Sequence, residues 1–414
     1  MKKKDRDEQI TVPTAHPKLR LIGFLLALAV AVGAFSYGIS SLGDRKEGYY
    51  EIETAADEDA PLYSHGFSLV CYLTGSSSEI RDRQQKLKDL YSAVLLRSYK
   101  LLDTASTYDG YANLATLNRS RGQEVAVSQE LYDILSDAWE KTREGKGYSL
   151  FSGALNAEWN GLLAMTEPET YDPLTDPQEA ALLKTLAAQT AAGKFTLEFV
   201  DPAAYTVRWN CDDGYVAYLE SIEQADVIVD TGLLTDAYRL SMIRAELEKA
   251  GYTNGYLTTD SGLTLSLSGH RQANYGLYTL ENGEVKQAAT VPAAPGSACS
   301  FLRTFALTEG ELGYYTVASG GETRYRHPDF VTATGDFAEV LLSSAVVRED
   351  GDPVEACYRN LLLYQATDRQ AVADSAADGG SLTVCLLRED GGSVLRATDS
   401  SLVTPAEGMT VRNF

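Results

Sequence analysis

The stretch VIVDTGLLTDAYRLSMIRAELEKAG, residues 227–251, carries the organising pattern of this chain. Val227, Ile228 and Val229 are consecutive β-favouring residues and read as a short strand. Asp230 and Thr231 follow, then Gly232, which suits a tight turn or a close approach of backbone to a phosphate. From about Leu234 the period changes. Leu240, Ile243 and Leu247 recur at three- and four-residue steps as far as Gly251, which marks a helix with one apolar stripe.

Helical and extended patterns continue on both sides. Ser78 to Asp103 reads as a helix, with Leu87, Leu90, Tyr91, Val94, Leu95, Tyr99 and Leu102 on one face. A second helix starts at Ser128 as N-cap, runs through Leu131, Ile134, Leu135, Ala138 and Trp139, and meets Gly145 where a left-handed cap belongs. A third spans about Pro177 to Ala192. Strand-like runs lie at 195–200, 205–209, 340–347 and 382–387, and Leu263, Leu265 and Leu267 alternate strictly. Helices and strands interleave irregularly, which predicts an α+β domain in place of a doubly wound sheet.

Composition bounds the function. The 414 residues are 44% hydrophobic and 23% charged, which describes a folded chain. A net charge of -22 excludes a nucleic-acid grip, because phosphate binding needs clustered Lys and Arg. Cys71, Cys211, Cys299, Cys357 and Cys385 are at least 28 residues apart, so no CxxC-type metal or haem motif exists and they read as small core residues. His16, His65, His270 and His327 are the only histidines, and no HExxH, GxSxG or P-loop occurs. Acidic groups at 57–59 and 212–213 read as solvated faces or turns. Gly262, Gly320 and Gly335, like Gly232, are placed at expected strand ends.

No charged residue occurs from Leu21 to Leu42. At ~1.5 Å per residue that segment reaches about 33 Å, enough to cross a hydrocarbon core of ~30 Å. Lys2, Lys3, Lys4, Arg6, Lys18 and Arg20 precede it, and a mostly acidic stretch follows. The positive flank predicts a cytoplasmic tail at 1–20, a transmembrane helix at 21–42, an acidic solvated spacer at 43–64 and an extracytoplasmic domain at 65–414 in the cell membrane. The apolar run is long for a signal peptide and no small-x-small site follows, which favours a retained anchor.

Several segments, in order, resemble one family. ASTYDGYANLATLN at 105–118 resembles Phe-Ser-Thr-Tyr-x-x-x-Ser-Glu-Ile-x-x-Leu-Asn through Ser106, Thr107, Tyr108, Leu117 and Asn118. GKGYSLFSGALNAEW at 145–159 is similar to Gly-Gly-Ala-Phe-Asp-Pro-Thr-Val-Gly-Pro-Leu-x-x-Leu-Trp, keeping Gly145, Gly153, Leu155 and Trp159 with Tyr148 in the Phe place. DTGLLTDAY at 230–238 resembles Asp-Leu-Gly-Gly-Ile-Ala-Lys-Gly-Tyr. ASG at 318–320 resembles Thr-Ser-Gly, and RYRH at 324–327 with Thr334 and Gly335 resembles His-x-x-Asp-Pro-x-Thr-Gly. VEACYR at 354–359 resembles Ala-Asp-Ala-Leu-x-Thr. These are motifs of the FAD:protein FMN transferase family (ApbE type), extracytoplasmic enzymes that use Mg²⁺ to move FMN from FAD onto a Thr or Ser of a partner flavoprotein.

The resemblance implies an ApbE-like fold of mixed and antiparallel sheets flanked by helices. It places Ser106, Tyr108, Tyr148, Asp230, Gly232, Ser319, Gly320, Thr334 and Gly335 against FAD. Glu355 and Thr235 would hold Mg²⁺, and His327 would act catalytically near the flavin. The implied partner is a membrane or extracytoplasmic flavoprotein. The departures fall on phosphate and metal positions: Ser149, Phe151, Leu233, Asp236, Ala237 and Arg359. Leu233 is expected to block the phosphate loop and Asp236 to reverse its charge, while the Arg359 guanidinium offers no lone pair to a metal. The expectation is a kept fold with weakened or lost catalysis, or alternatively a non-catalytic scaffold for a membrane flavoprotein or another ligand.

Overall fold

The computed structural model describes residues 45–414, apart from 192–193, 225–226, 320, 333, 338, 378–379 and 390–391. The basic tail and the apolar segment 21–42 lie outside the described residues. Among the described residues no helix is long and apolar enough to cross a membrane.

Strands Gly48–Glu51 (β1) and Phe67–Leu73 (β2) lead into helix Ser77–Leu102 (α1). Helix Leu114–Asn118 (α2), strand Val125–Ala126 (β3) and helices Gln129–Arg143 (α3), Gly153–Leu163 (α4) and Pro177–Ala191 (α5) follow. Next come strands Thr196–Asp201 (β4) and Thr206–Asn210 (β5), helix Asp213–Ser221 (α6) and helix Thr235–Lys249 (α7), the last preceded by a 3-10 turn at Gly232–Leu234. Strands Gly255–Thr259 (β6), Leu263–Ser266 (β7), Ala273–Glu281 (β8), Glu284–Ala293 (β9), Ala298–Arg303 (β10), Tyr315–Ser319 (β11), Glu322–Arg326 (β12) and Leu341–Arg348 (β13) come next. Helices Pro353–Tyr364 (α8) and Arg369–Ala377 (α9) precede strands Leu382–Glu389 (β14), Gly392–Ala397 (β15), Thr404–Pro405 (β16) and Val411–Asn413 (β17).

The described strands form a nine-stranded sheet in the order β1-β2-β6-β7-β10-β13-β14-β15-β17 and three small sheets. Pairing is antiparallel from β2 through β15, and β17 adds a parallel edge. The central strands are buried on both faces. Ala345, Val347, Val384, Leu386, Leu395 and Ala397 point to one face and pack with Leu277, Ala288, Ala289 and Val291 of the β8–β9 hairpin. Asn282 and Gly283 close that hairpin, both left-handed, as a two-residue turn of this twist demands. The opposite face meets α8. There Asn360 donates to Ser300 O at 2.8 Å and accepts from Ser344 Oγ at 2.5 Å, which satisfies polar groups in a dry layer.

The four expected helices and most expected strands are present. Ser128 caps α3 by accepting from Leu131 N at 3.2 Å, and Gly145 beyond its end has φ +66°. All five cysteines are buried and free. In β7 the residues between the leucines are buried too, with Thr264 and Ser266 facing inward, so the alternation does not mark a wet face. Val227–Val229 is not a strand. The Asn118 side chain serves its backbone instead: Oδ1 accepts from Val229 N at 2.7 Å and Ile228 N at 3.2 Å, and Nδ2 donates to Val229 O at 3.0 Å. Within the stretch read as a solvated spacer, β1 forms, and Ile52, Ala60 and Tyr63 are buried.

The described residues divide into a small unit, 45–48 with Leu73–Gln85, and a large unit, Tyr49–Tyr72 with Lys86–Phe414. In the small unit Glu79 accepts from Ser76 N at 2.7 Å, closing the start of α1. The candidate site lies in the large unit.

Candidate functional site

The segment 227–235 is held from three sides. Gly153 N donates to Ile228 O at 3.1 Å, and a Cβ at Gly153 would stand 2.8 Å from Val227 O, so only glycine lets α4 start against this backbone. Asp230 N donates to Leu150 O at 2.8 Å. The Asp230 carboxylate accepts from Asn156 Nδ2 at 2.7 Å and from Gly232 N at 2.9 Å. Gly232 has φ +55°, and a Cβ there would fall 2.5 Å from Asn156 Nδ2. Burial raises the Asp230 pKa, and the bonds from Asn156 and Gly232 oppose that rise.

This turn and the start of α7 open onto a cleft of about 1040 Å³. Leu233, expected to stand between the loop backbone and a phosphate, lines the cleft. Six carboxylates face it, those of Asp103, Asp230, Asp236, Asp260, Glu311 and Asp329, against the guanidinium groups of Arg239 and Arg303. Asp236 sits in the first turn of α7, where the helix dipole favours an anion, and accepts from Ser261 Oγ at 2.7 Å. Its charge is partly offset, because Arg239 Nη1 lies 3.8 Å from Asp236 Oδ1 one turn along the helix. Arg239 is buried over the Phe67 ring at 4.1 Å, bonds Tyr63 O and Ser98 Oγ, and has its pKa lowered by burial. Arg303 stacks on Tyr314 at 4.2 Å and pairs with Glu311. A phosphate entering here meets both cations already engaged.

Of the residues the resemblance assigns to FAD, Mg²⁺ or catalysis, Asp230, Gly232 and Thr235 line this cleft, as do the departures Leu233 and Asp236; the other described ones are not among its lining residues. Thr235 Oγ1 is bonded to Thr231 Oγ1 at 2.7 Å. Tyr108 donates to Asp103 Oδ2 at 2.6 Å and so touches a cleft residue from behind, and Ser106 N donates to Asp103 Oδ1 at 3.1 Å. Tyr148 is a buried wall residue whose hydroxyl donates to Thr231 O at 3.1 Å. Ser319 ends β11, and Gly320 lies outside the described residues. Thr334 accepts from Asp336 N at 3.3 Å, and Gly335 O accepts from Trp159 Nε1 at 3.0 Å.

His327 is 1% exposed, with Phe337 and Tyr364 at ring distances of 4.8 and 5.7 Å. Its Nδ1 accepts from Asp329 N at 3.3 Å and burial lowers its pKa, so the ring is neutral. It lines a separate cavity of about 300 Å³, and only its successors Pro328, Asp329 and Phe330 reach the cleft. Glu355 also faces elsewhere. It accepts from Arg359 Nε at 2.6 Å and lies 3.6 Å from Lys141 Nζ, which in turn pairs with Asp137 at 2.7 Å. Asp137 accepts from Tyr238 at 2.6 Å, so these residues join α3, α7 and α8 in one polar network. Among the described residues no group of three or more His, Cys, Asp or Glu side chains is arranged to hold a metal ion.

Sequence reasoning passed over Asn156, Arg239 and Asp103. Asn156 follows Gly153 by three residues within a segment already singled out, and Arg239 lies one helical turn beyond Asp236. Both signals are visible as spacing alone.

The large unit is an α+β domain with a cleft of about 1040 Å³ at a helix N-terminus. No protein-family model matches the sequence, and no curated protein matches it. Solved structures do share the fold. The apo Pseudomonas stutzeri flavinyl transferase ApbE superposes with a TM-score of 0.57 at 12% identity, covering 87% of this chain and 98% of that one. Flavin transferase ApbE from Vibrio cholerae gives 0.55 at 12% identity over 86% and 97%. The ApbE protein from Thermotoga maritima gives 0.55 at 12% identity over 87% and 97%. The chain has the ApbE flavin-transferase fold.

Proposed function

We propose that this chain is a flavin-transferase-like protein, anchored through residues 21–42 with its domain outside the membrane, that keeps a nucleotide cleft and has weakened or lost transfer. The carrying observation is the fate of Glu355, which is bonded to Arg359 and Lys141 away from the cleft. Mg²⁺ does not fit the expected pair. Glu355 is neutralised by two cations, and the Thr235 hydroxyl is committed to Thr231. FAD fits better: the cleft volume is at the upper end of the ~300–1,000 Å³ usual for ligand sites, with Tyr99 and Tyr314 on its wall. The acidic lining opposes a pyrophosphate, so affinity is low.

Without transfer, the domain serves to hold an extracytoplasmic flavoprotein or its flavin. The test uses the full chain in detergent, titrated with FAD with and without Mg²⁺, then incubated with a Thr-containing flavoprotein acceptor. Weak saturable FAD binding independent of Mg²⁺, with no fluorescence transferred to the acceptor, is expected. Mg²⁺-dependent labelling of the acceptor would show that transfer survives, and absence of FAD binding at millimolar concentration would sink the nucleotide cleft.

A further inference from the structure

The cavity of about 300 Å³ that His327 lines lies between the end of β10, strand β12, the segment before β13, and β14, and it shares no lining residue with the cleft. Its wall is fixed by packing. Phe337 is met edge-on by His327 at 4.8 Å and by Trp159 at 4.7 Å, and the Arg388 guanidinium lies over the Tyr325 ring at 5.0 Å. Rings held in this way present a set surface before any ligand arrives.

The charge balance is the reverse of the cleft's. Two guanidinium groups, of Arg324 and Arg388, line the cavity against one carboxylate, that of Glu339. Glu339 is exposed and pairs with Arg324. Arg388 is half-buried and makes no ion pair among the described residues. Its Nη2 donates to Thr304 Oγ1 at 3.1 Å, its Nε is sealed in the wall, and its Nη1 makes no hydrogen bond. Burial lowers the Arg388 pKa, and Tyr325 and Glu339 oppose that shift only in part.

The donors left over decide the ligand. Nη1 and the second hydrogen of Nη2 stand side by side at the end of the fork, the arrangement that meets the two oxygens of a carboxylate. The Thr304 hydroxyl is already committed to Leu342 O at 3.3 Å, so the buried end offers a phosphate too few partners. The volume is at the low end of the ~300–1,000 Å³ usual for ligand sites, which restricts the occupant to a small molecule. We propose that this cavity binds a small organic carboxylate, its oxygens on Arg388 Nη1 and Nη2 and its carbon body against Tyr325, Phe337 and His327.

The probe is benzoate, titrated calorimetrically into the full chain in detergent, with inorganic phosphate and benzylamine as comparisons. One saturable site is expected for benzoate, weaker binding for phosphate and none for the cationic amine. Arg388→Met keeps the length of the side chain without its fork and should weaken benzoate about tenfold. Glu339→Gln, at an exposed position, removes the one acid of the lining and should tighten benzoate about threefold, so the proposal stays testable even if Arg388→Met does not fold. Asp236→Asn, in the cleft, should change nothing. The proposal is overturned if the wild-type chain shows no saturable benzoate binding, if Arg388→Met binds as well as wild type, if Glu339→Gln binds no more tightly, or if phosphate or the amine binds as well as benzoate.

Discussion

The Asn156 side-chain amide donates to Asp230 Oδ2 at 2.7 Å, and its nitrogen stands 2.5 Å from where a Cβ at Gly232 would lie. One side chain of α4 therefore does two things to the turn before α7. It supplies a neutral donor to a buried carboxylate, and it occupies the space that any residue larger than glycine would need. Both donors to the Asp230 carboxylate, Asn156 Nδ2 and Gly232 N, are neutral.

Asn156→Ala should destabilise the domain by about 1–3 kcal/mol at neutral pH, because a buried carboxylate loses a donor. The pH dependence has a definite sign. Burial raises the folded-state pKa of Asp230 above its ordinary 3.8. Between those two values the folded state binds more protons than the unfolded one, so this group's contribution to stability falls as pH rises. Removing the Asn156 donor raises the folded pKa further. Urea unfolding at a series of pH values should show a deficit that is smallest below pH 3.8 and grows above it. A deficit equal at every pH would mean that Asn156 acts by packing alone.

Asp236 and Arg359 stand where the motif resemblance implies a lysine and a threonine, and their positions separate them. Asp236 lines the cleft at the α7 N-terminus, whereas Arg359 is tied to Glu355 outside it. Asp236→Asn keeps a group able to accept from Ser261 and removes one negative charge where the helix dipole attracts anions. A change of about 1 kcal/mol, or roughly fivefold tighter FAD binding, is expected from fluorescence titration. Arg359→Thr should leave FAD affinity unchanged. Equal gains from both variants would place Arg359 in the cleft after all.

The helices were legible because their stripes are local: Leu131, Ile134, Leu135 and Ala138 are buried at the steps a 3.6-residue period dictates. Asp230 and Gly232 were legible through motif resemblance. What could not be read depends on distance in space. Asn118 serves the backbone of Val229 across 111 positions of sequence, which turns an apparent strand into a pinned loop. Asn156 reaches Asp230 across 74 positions. Glu355 keeps its identity as a carboxylate, and only the geometry of α3 and α8 reveals that Lys141 and Arg359 hold it. The β8–β9 hairpin announces its turn in Asn282 and Gly283, but Glu284, Lys286 and Gln287 break the apolar alternation of its second strand.

Glu179 gives an independent pH test away from the cleft. Partial burial, with Glu158 and Asp176 nearby, raises its pKa to about 7 from 4.5, and its Oε1 has no hydrogen-bond partner. The unfolded chain releases this proton first, so stability falls as pH rises from 4.5 towards 7. Glu179→Gln should match wild type at pH 4 and be more stable at pH 8, by on the order of 1 kcal/mol once solvent screening of a half-exposed group is allowed for. Thermal melting at both pH values measures this directly. A variant that gains as much at pH 4 would locate the effect in packing and not in charge.

Gly335 was expected to contact flavin, and its surroundings give it a different task. Its carbonyl accepts from Trp159 Nε1 at 3.0 Å, a Cβ there would stand a tight 3.1 Å from Leu183 O, and its φ of +69° strains any other residue, so glycine suits this place between α4 and α5. Trp159 is fully buried, edge-on to Phe337 at 4.7 Å. Trp159→Phe keeps an aromatic ring but leaves the Gly335 carbonyl without a donor and a space beside it. The cost should be about 1–3 kcal/mol in urea unfolding, with FAD affinity per folded molecule unchanged. If the variant instead unfolds like wild type and loses FAD binding, Gly335 belongs to the ligand site and its role in packing is secondary.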